Sequence, residues 1–184
     1  MEATAQSIKH PFSEADMEAL RGLTFKRPSI ARLLERGTSL ECEFDRYLLS
    51  QAAPRAFTYD AIMRKFNGDP SGVEFKDGKR DAWAFILPDA SEQGRMRVQY
   101  FDRSSFFSHH PYDTVAECMD ALVAEGYTLE DAGALDRLSD TDEWRRGVEV
   151  SGLIQKLNAK EITHEEFNRR VIALSPAKAQ AEAA

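Results

Sequence analysis

Two histidines side by side, His109 and His110, are the residues whose type most directly invites chemistry. With Asp102 or Asp113, one of them could hold a metal ion or pass a proton. Their spacing works against a shared site. Adjacent residues on a strand point to opposite faces, and Pro111 biases His110 toward extended backbone. The pair is expected to point apart, with no ion between them. His10 and His164 have no ligand motif around them. The stretch from Asn158 to Phe167 lacks the alternating Asp/Asn ligands and central glycine of a calcium loop. There is no Gly-rich phosphate loop, no Gly-x-Ser-x-Gly elbow and no His-Glu-x-x-His. No catalytic residue, metal or cofactor is therefore assigned. A small enzyme with a site built from distant residues stays open as a third reading.

Carboxylates offer a different chemistry. The net charge of −7 is unevenly placed. Residues 1–72 carry ten bases and ten acids, and residues 73–112 carry six of each. Residues 113–143 hold Asp113, Glu117, Asp120, Glu125, Glu130, Asp131, Asp136, Asp140, Asp142 and Glu143 against the single base Arg137. Such a field attracts basic partners and speeds their encounter. Carboxylates spaced like phosphates can also occupy a nucleic-acid groove on another protein. Glu130, Asp131, Asp136, Asp140, Asp142 and Glu143 are the candidate partner-binding residues. The plainer alternative is a solubilising face with acids at helix N-termini, which accounts well for Asp140, Asp142 and Glu143.

The runner-up surface is basic. Arg95, Arg97 and Gln99 alternate along one strand, and Phe101 and Phe107 could share their face. Bases interleaved with aromatics on a sheet can bind single-stranded nucleic acid by charge and stacking. The acidity of the whole chain opposes nonspecific phosphate binding.

The elements that position these residues fall in three regions. Residues 13–67 are helical: Ser13 starts one helix, Pro28 and Ser29 open a second that Gly37 closes, Pro54 ends a third and Thr58 starts a fourth. Residues 73–112 change to a period of two. Asp77-Gly78 signals a hairpin turn, Ala82 to Leu87 is apolar on both faces, and Met96, Val98 and Tyr100 alternate with polar residues. An antiparallel meander of about four strands is the simplest assembly. Residues 114–174 are helical again. Thr114 with Glu117, and Thr163 with Glu166, form capping boxes; Gly126 ends the first helix, a loop or short helical turn runs to Leu138, and Thr141 or Ser139 begins a longer helix. The fold class is α+β: N-terminal helices, a small antiparallel sheet and C-terminal helices around one core. Trp83, Phe85, Val98, Tyr100, Leu122 and Val123 are expected to share that core. Residues 1–176 read as a single domain and residues 177–184 as a disordered tail.

At 184 residues with 42% hydrophobic composition, the chain is long enough for a substantial core. No apolar run reaches the roughly 18–20 residues of a membrane span, and the N-terminus has no secretion signal. Cys42 and Cys118 fall in helix-like apolar stripes, where a thiol acts as a small hydrophobe. These features point to the cytoplasm.

Two resemblances add to this reading. Leu153-Ile-Gln-Lys-Leu157, Glu161 to Phe167 and Val171-Ile-Ala-Leu174 resemble a SHOCT-type C-terminal helical hairpin, with Lys160-Glu161 where such hairpins commonly carry glycine. It covers about one eighth of the chain and implies packing or interaction without chemistry. In size, acidity and absence of catalytic motifs, the chain resembles in type the small accessory proteins of plasmids and phages, including anti-restriction and anti-CRISPR inhibitors. The unit from Met96 to Asp102 and from Tyr112 to Glu117, strand, turn, strand and capped helix, has that look. The match is not residue by residue, so no functional residue is carried over. What it implies is a non-enzymatic protein that blocks or regulates a basic, nucleic-acid-handling complex.

Overall fold

The computed structural model describes residues 13–36 and 43–174. The first helix, α1 (Glu14–Arg21), starts where the Ser13 spacing predicts: the Ser13 hydroxyl accepts the Asp16 N–H at 3.3 Å, and the Asp16 carboxylate accepts the Ser13 N–H at 2.6 Å. Proline opens α2 (Pro28–Arg36), a position where its missing N–H costs no helical bond. Gly37 and Cys42 lie outside the described residues. The expected break at Pro54 does not occur. A single helix, α3 (Glu43–Lys65), runs through Pro54 and Thr58. Pro54 sits on the exposed side, where the loss of one hydrogen bond is best tolerated, and Thr58 Oγ1 donates to the Pro54 carbonyl at 3.0 Å. Buried Ala53 and Ala56 beside it favour and anchor the continuous helix.

Four strands follow as an antiparallel meander: β1 (Phe75–Asp77), β2 (Ala82–Pro88), β3 (Met96–Asp102) and β4 (Phe106–Tyr112). The helix α4 (Val115–Glu125) comes next. The Thr114 hydroxyl accepts the Glu117 N–H at 3.1 Å, while the Glu117 carboxylate reaches one residue further than expected, to the Asp113 N–H. Gly126 ends α4 in the left-handed region at φ 99°, as a glycine there predicts. The segment expected as loop then contains a fifth strand, β5 (Tyr127–Glu130), paired antiparallel with β1. The strand order is β4-β3-β2-β1-β5. At 1.5 Å per residue α4 is about 16 Å long, close to the roughly 19 Å between the outer strands of a five-stranded sheet. It therefore carries the chain from one edge to the other. Three helices complete the described chain: α5 (Ala134–Ser139), α6 (Asp142–Asn158) and α7 (His164–Ala173). Thr141 and Thr163 cap α6 and α7, each hydroxyl accepting an N–H at 3.1 Å.

The six residues expected in one core divide between the two faces of the sheet. Val98, Tyr100, Leu122 and Val123 join Phe75, Ala84, Ile86 and Tyr127 under α4. Trp83 lies on the opposite face with Phe101, Ala134 and Trp144, and Phe85 packs against them. The period of two in β2 causes this: a strand covered on both sides feeds two clusters. A third cluster joins α1, α2 and the first half of α3 through Met17, Leu20, Ile30, Leu49 and Ala56. Tyr59 and Met63, further along α3, belong to the cluster under α4, so one helix links the two. Cys118 is fully buried there, and burial pushes its thiol up to about 12.

One glycine sets how closely α6 approaches the sheet. A Cβ on Gly147 would lie 2.0 Å from the Ser104 carbonyl oxygen in the β3–β4 turn. Backbone cannot swing away, so Gly147→Ala is expected to displace α6 and cost about 1–3 kcal/mol. Gly152, in the same helix, faces open space. Gly152→Ala should instead stabilise by about 0.5–1 kcal/mol. Thermal melts of the two variants measure this, and equal shifts would contradict the close approach at Gly147.

Candidate partner-binding surface

Of the ten carboxylates of residues 113–143, Glu117 and Glu125 on α4 form no ion pair with a described residue, and the other eight separate into those tied within the fold and those left free. Asp120 is buried and bonded to Arg27 and Ser29. Asp113 pairs with Arg95 at 3.1 Å, Glu130 pairs with Lys65, and Asp142 pairs with Arg145 at 2.9 Å. Asp131 accepts the Trp83 indole N–H at 2.7 Å and an Arg137 N–H at 2.6 Å. The Trp83 hydrogen bond, opposed by burial and assisted by Arg137, holds the Asp131 carboxyl below the usual carboxylate range. Of the six candidate residues, Glu130, Asp131 and Asp142 therefore spend charge on intramolecular cations. Asp136, Asp140 and Glu143 remain exposed, with no side-chain hydrogen bond or ion pair to any described residue.

These three lie close along the chain at the α5–α6 junction. Asp136 is in the first turn of α5, Asp140 is its C-cap, and Glu143 is in the first turn of α6. Acids at both helix starts are favoured by the helix dipole. The junction is held from two sides. Glu74, just before β1, accepts the Ala134 and Leu135 N–H groups at 2.6 and 3.2 Å and so caps α5. Trp144, one residue past Glu143, is buried with its ring 6.2 Å from Phe101 and 5.3 Å from Phe106. Sequence reasoning missed Glu74, since nothing local marks a carboxylate sixty residues away as a helix cap.

The basic and aromatic surface does not form as expected. Arg97, Gln99 and Phe101 do share a face of β3, opposite Leu87, Phe85 and Trp83 of β2. Phe101, however, is fully buried between Trp83 and Trp144, so no base can stack on it. Gln99 is buried too, its amide donating to the Ser108 carbonyl at 2.9 Å. Arg95 precedes β3 and pairs with Glu92 and Asp113. Arg97 is half-buried. Phe107, the unpaired residue of the bulge in the β3–β4 ladder, is exposed but packs toward Tyr100.

His109 and His110 stand opposite Gln99 and Val98, hence on opposite faces. The His110 ring packs edge-on against Tyr100 at 5.8 Å. Among the described residues, no group of three His, Cys, Asp or Glu side chains is placed to hold a metal ion. No described helix is long and apolar enough to cross a membrane. Helices α6 and α7 form a hairpin, and α7 has no fully buried residue. No family model, curated protein or solved structure matches this chain.

Proposed function

We propose that this protein acts by binding, and that its acidic α5–α6 junction docks on a basic, nucleic-acid-handling protein or nucleoprotein complex that it blocks or regulates. This is the activity of an anti-restriction or anti-CRISPR type inhibitor working in the cytoplasm. One observation supports the reading: among the described residues, Asp136, Asp140 and Glu143 stay exposed and unpaired on a braced junction, while their neighbours Glu130, Asp131 and Asp142 are tied to cations. Unpaired carboxylates keep their field for a partner, and a braced junction presents them without an ordering cost.

The test uses the full-length protein as bait in extracts of its source cell. The wild type should retain a basic nucleic-acid-handling complex, and duplex DNA should displace it. The triple variant Asp136→Lys, Asp140→Lys, Glu143→Lys should retain about tenfold less, because a like-charge surface replaces a complementary one. The difference should shrink once salt brings the Debye length below about 8 Å. Arg95→Glu with Arg97→Glu should leave retention unchanged. A triple variant that binds fully at low salt, or a complex indifferent to DNA, overturns the proposal.

A further inference from the structure

Helix α7 has ten residues, fewer than the roughly 12–15 at which an isolated helix becomes marginal in water. It must therefore gain its stability from packing, yet it packs on α6 without fully burying any residue. One side of this hairpin is left open. A groove of about 500 Å³ runs there over Gly152, Leu153, Ala173 and Leu174. A Cβ on Gly152 would meet nothing within 4 Å, and Val148, one turn earlier, is 49% exposed. An apolar groove centred on a glycine suits a second helix, because the missing side chain lets two helix axes come close.

The charges around the groove say which helix. Glu149, Lys156 and Arg170 line it. Arg170 is tied to Glu166 on its own helix. Glu149 and Lys156 are exposed, and neither side chain has a hydrogen bond or ion pair with a described residue. They stand two turns apart on α6, about 10 Å at 1.5 Å per residue, too far to pair with each other. The midpoint between them falls at Gly152 and Leu153. A second α6 laid antiparallel across that midpoint sets Glu149 of each copy beside Lys156 of the other, at both ends. Parallel packing would set like against like. Arg145, one turn before Glu149, is already paired with Asp142 and does not disturb the match. The face is thus its own complement about a two-fold axis. We infer that a second copy of this chain docks antiparallel along α6, closing the groove of each hairpin in a symmetric dimer. The inference does not depend on the acidic junction.

Sedimentation of the full-length protein over a wide concentration range should show a monomer–dimer equilibrium. Glu149→Lys and Lys156→Glu should each raise the dimer Kd about tenfold, since each sets like charges together at both ends of the crossing. The two together should restore it. Gly152→Lys should leave monomer throughout, because two lysines then meet beside the axis. Its circular dichroism spectrum should match the wild type, since the fold has open space at that position. A Gly152→Lys variant that dimerises equally, or a double variant without recovery, overturns the proposal. So does a wild type monomeric at every concentration; a melting temperature lowered by the Glu149 and Lys156 variants would then give the groove to another segment of the same chain.

Discussion

An Asp120→Ala variant is expected to lose about 3–5 kcal/mol, the cost of stranding a buried charge. Asp120 on α4 is 9% exposed and Arg27 is 4% exposed. One Asp120 oxygen accepts the Arg27 Nε–H at 2.5 Å and the Ser29 hydroxyl at 3.1 Å; the other accepts the Ser29 N–H at 2.8 Å. A carboxylate from α4 thus caps α2 from across the fold while neutralising the guanidinium beside it. Without it, Arg27 stays buried and uncompensated, and the α2 N-terminus loses an acceptor. For a domain of ordinary stability, about 5–15 kcal/mol, this is a large share. Urea denaturation measures it. Replacing both partners by apolar residues, Arg27→Met with Asp120→Leu, should cost less than Asp120→Ala alone, because no charge remains to be stranded. An Asp120→Ala midpoint equal to the wild type would mean that the pair does not anchor α2 to α4.

What could be read in the sequence was local. Ser13 with Asp16, Thr163 with Glu166, and Gly126 mark helix ends through bonds that span a few residues, and each lies where its spacing predicts. The apolar run of β2 likewise announces a strand covered on both sides. The alternation of β3 reads as one buried face, whereas the structure buries Val98, Gln99, Tyr100 and Phe101, on both. Local rules failed where a distant contact decided. Pro54 reads as a helix end, but Ala53 and Ala56 are buried against other helices and keep α3 continuous. Four residues at Tyr127–Glu130 are too few to declare a strand, and β1, which makes them one, lies about fifty residues earlier. Two clusters in place of one followed from the same alternation that located the strand, since periodicity names both faces without saying what covers each.

Charge was the least legible feature of the candidate site. Composition counts carboxylates, whereas a binding surface depends on which of them keep their charge unpaired. Arg27 and Asp120, Lys65 and Glu130, and Trp83 and Asp131 are separated by 93, 65 and 48 residues. No spacing rule links such pairs. Each tie removes a carboxylate from the acidic segment until, at the α5–α6 junction, Asp136, Asp140 and Glu143 carry what is left for a partner. Exposed ion pairs are worth only about 0–1 kcal/mol, so the surface ties contribute little stability. Their consequence is to decide where the remaining field is strongest.

Trp83→Ala is expected to cost about 3–5 kcal/mol, as for other large buried aromatics. The ring is 5% exposed, stacks on Phe101 at 5.9 Å, and lies under the Lys76 ammonium at 5.1 Å. Its N–H donates to Asp131, so apolar body and polar tip contribute separately. Trp83→Phe keeps most of the body and removes the donor, for a smaller loss of about 1–2 kcal/mol. The two parts separate with pH. A carboxyl held below its unfolded value near 3.9 stabilises the fold above that value, and the contribution disappears as pH falls through the lowered folded value. Trp83 is the foremost cause of the lowering at Asp131. The gap between wild type and Trp83→Phe should therefore narrow as pH falls from about 6 to about 3, while the gap to Trp83→Ala should largely persist. Asp131 is 31% exposed, so solvent screening limits the pH-dependent part to a fraction of about 1 kcal/mol. The same logic separates structure from binding at this carboxylate. If Asp131 serves mainly to hold Trp83 and Arg137, Asp131→Ala should lower the melting temperature and leave partner retention per folded molecule unchanged. Asp136→Ala should largely spare the melt, since no described residue pairs with the Asp136 side chain. An Asp131→Ala variant that melts like the wild type yet binds weakly would return Asp131 to the partner-facing surface.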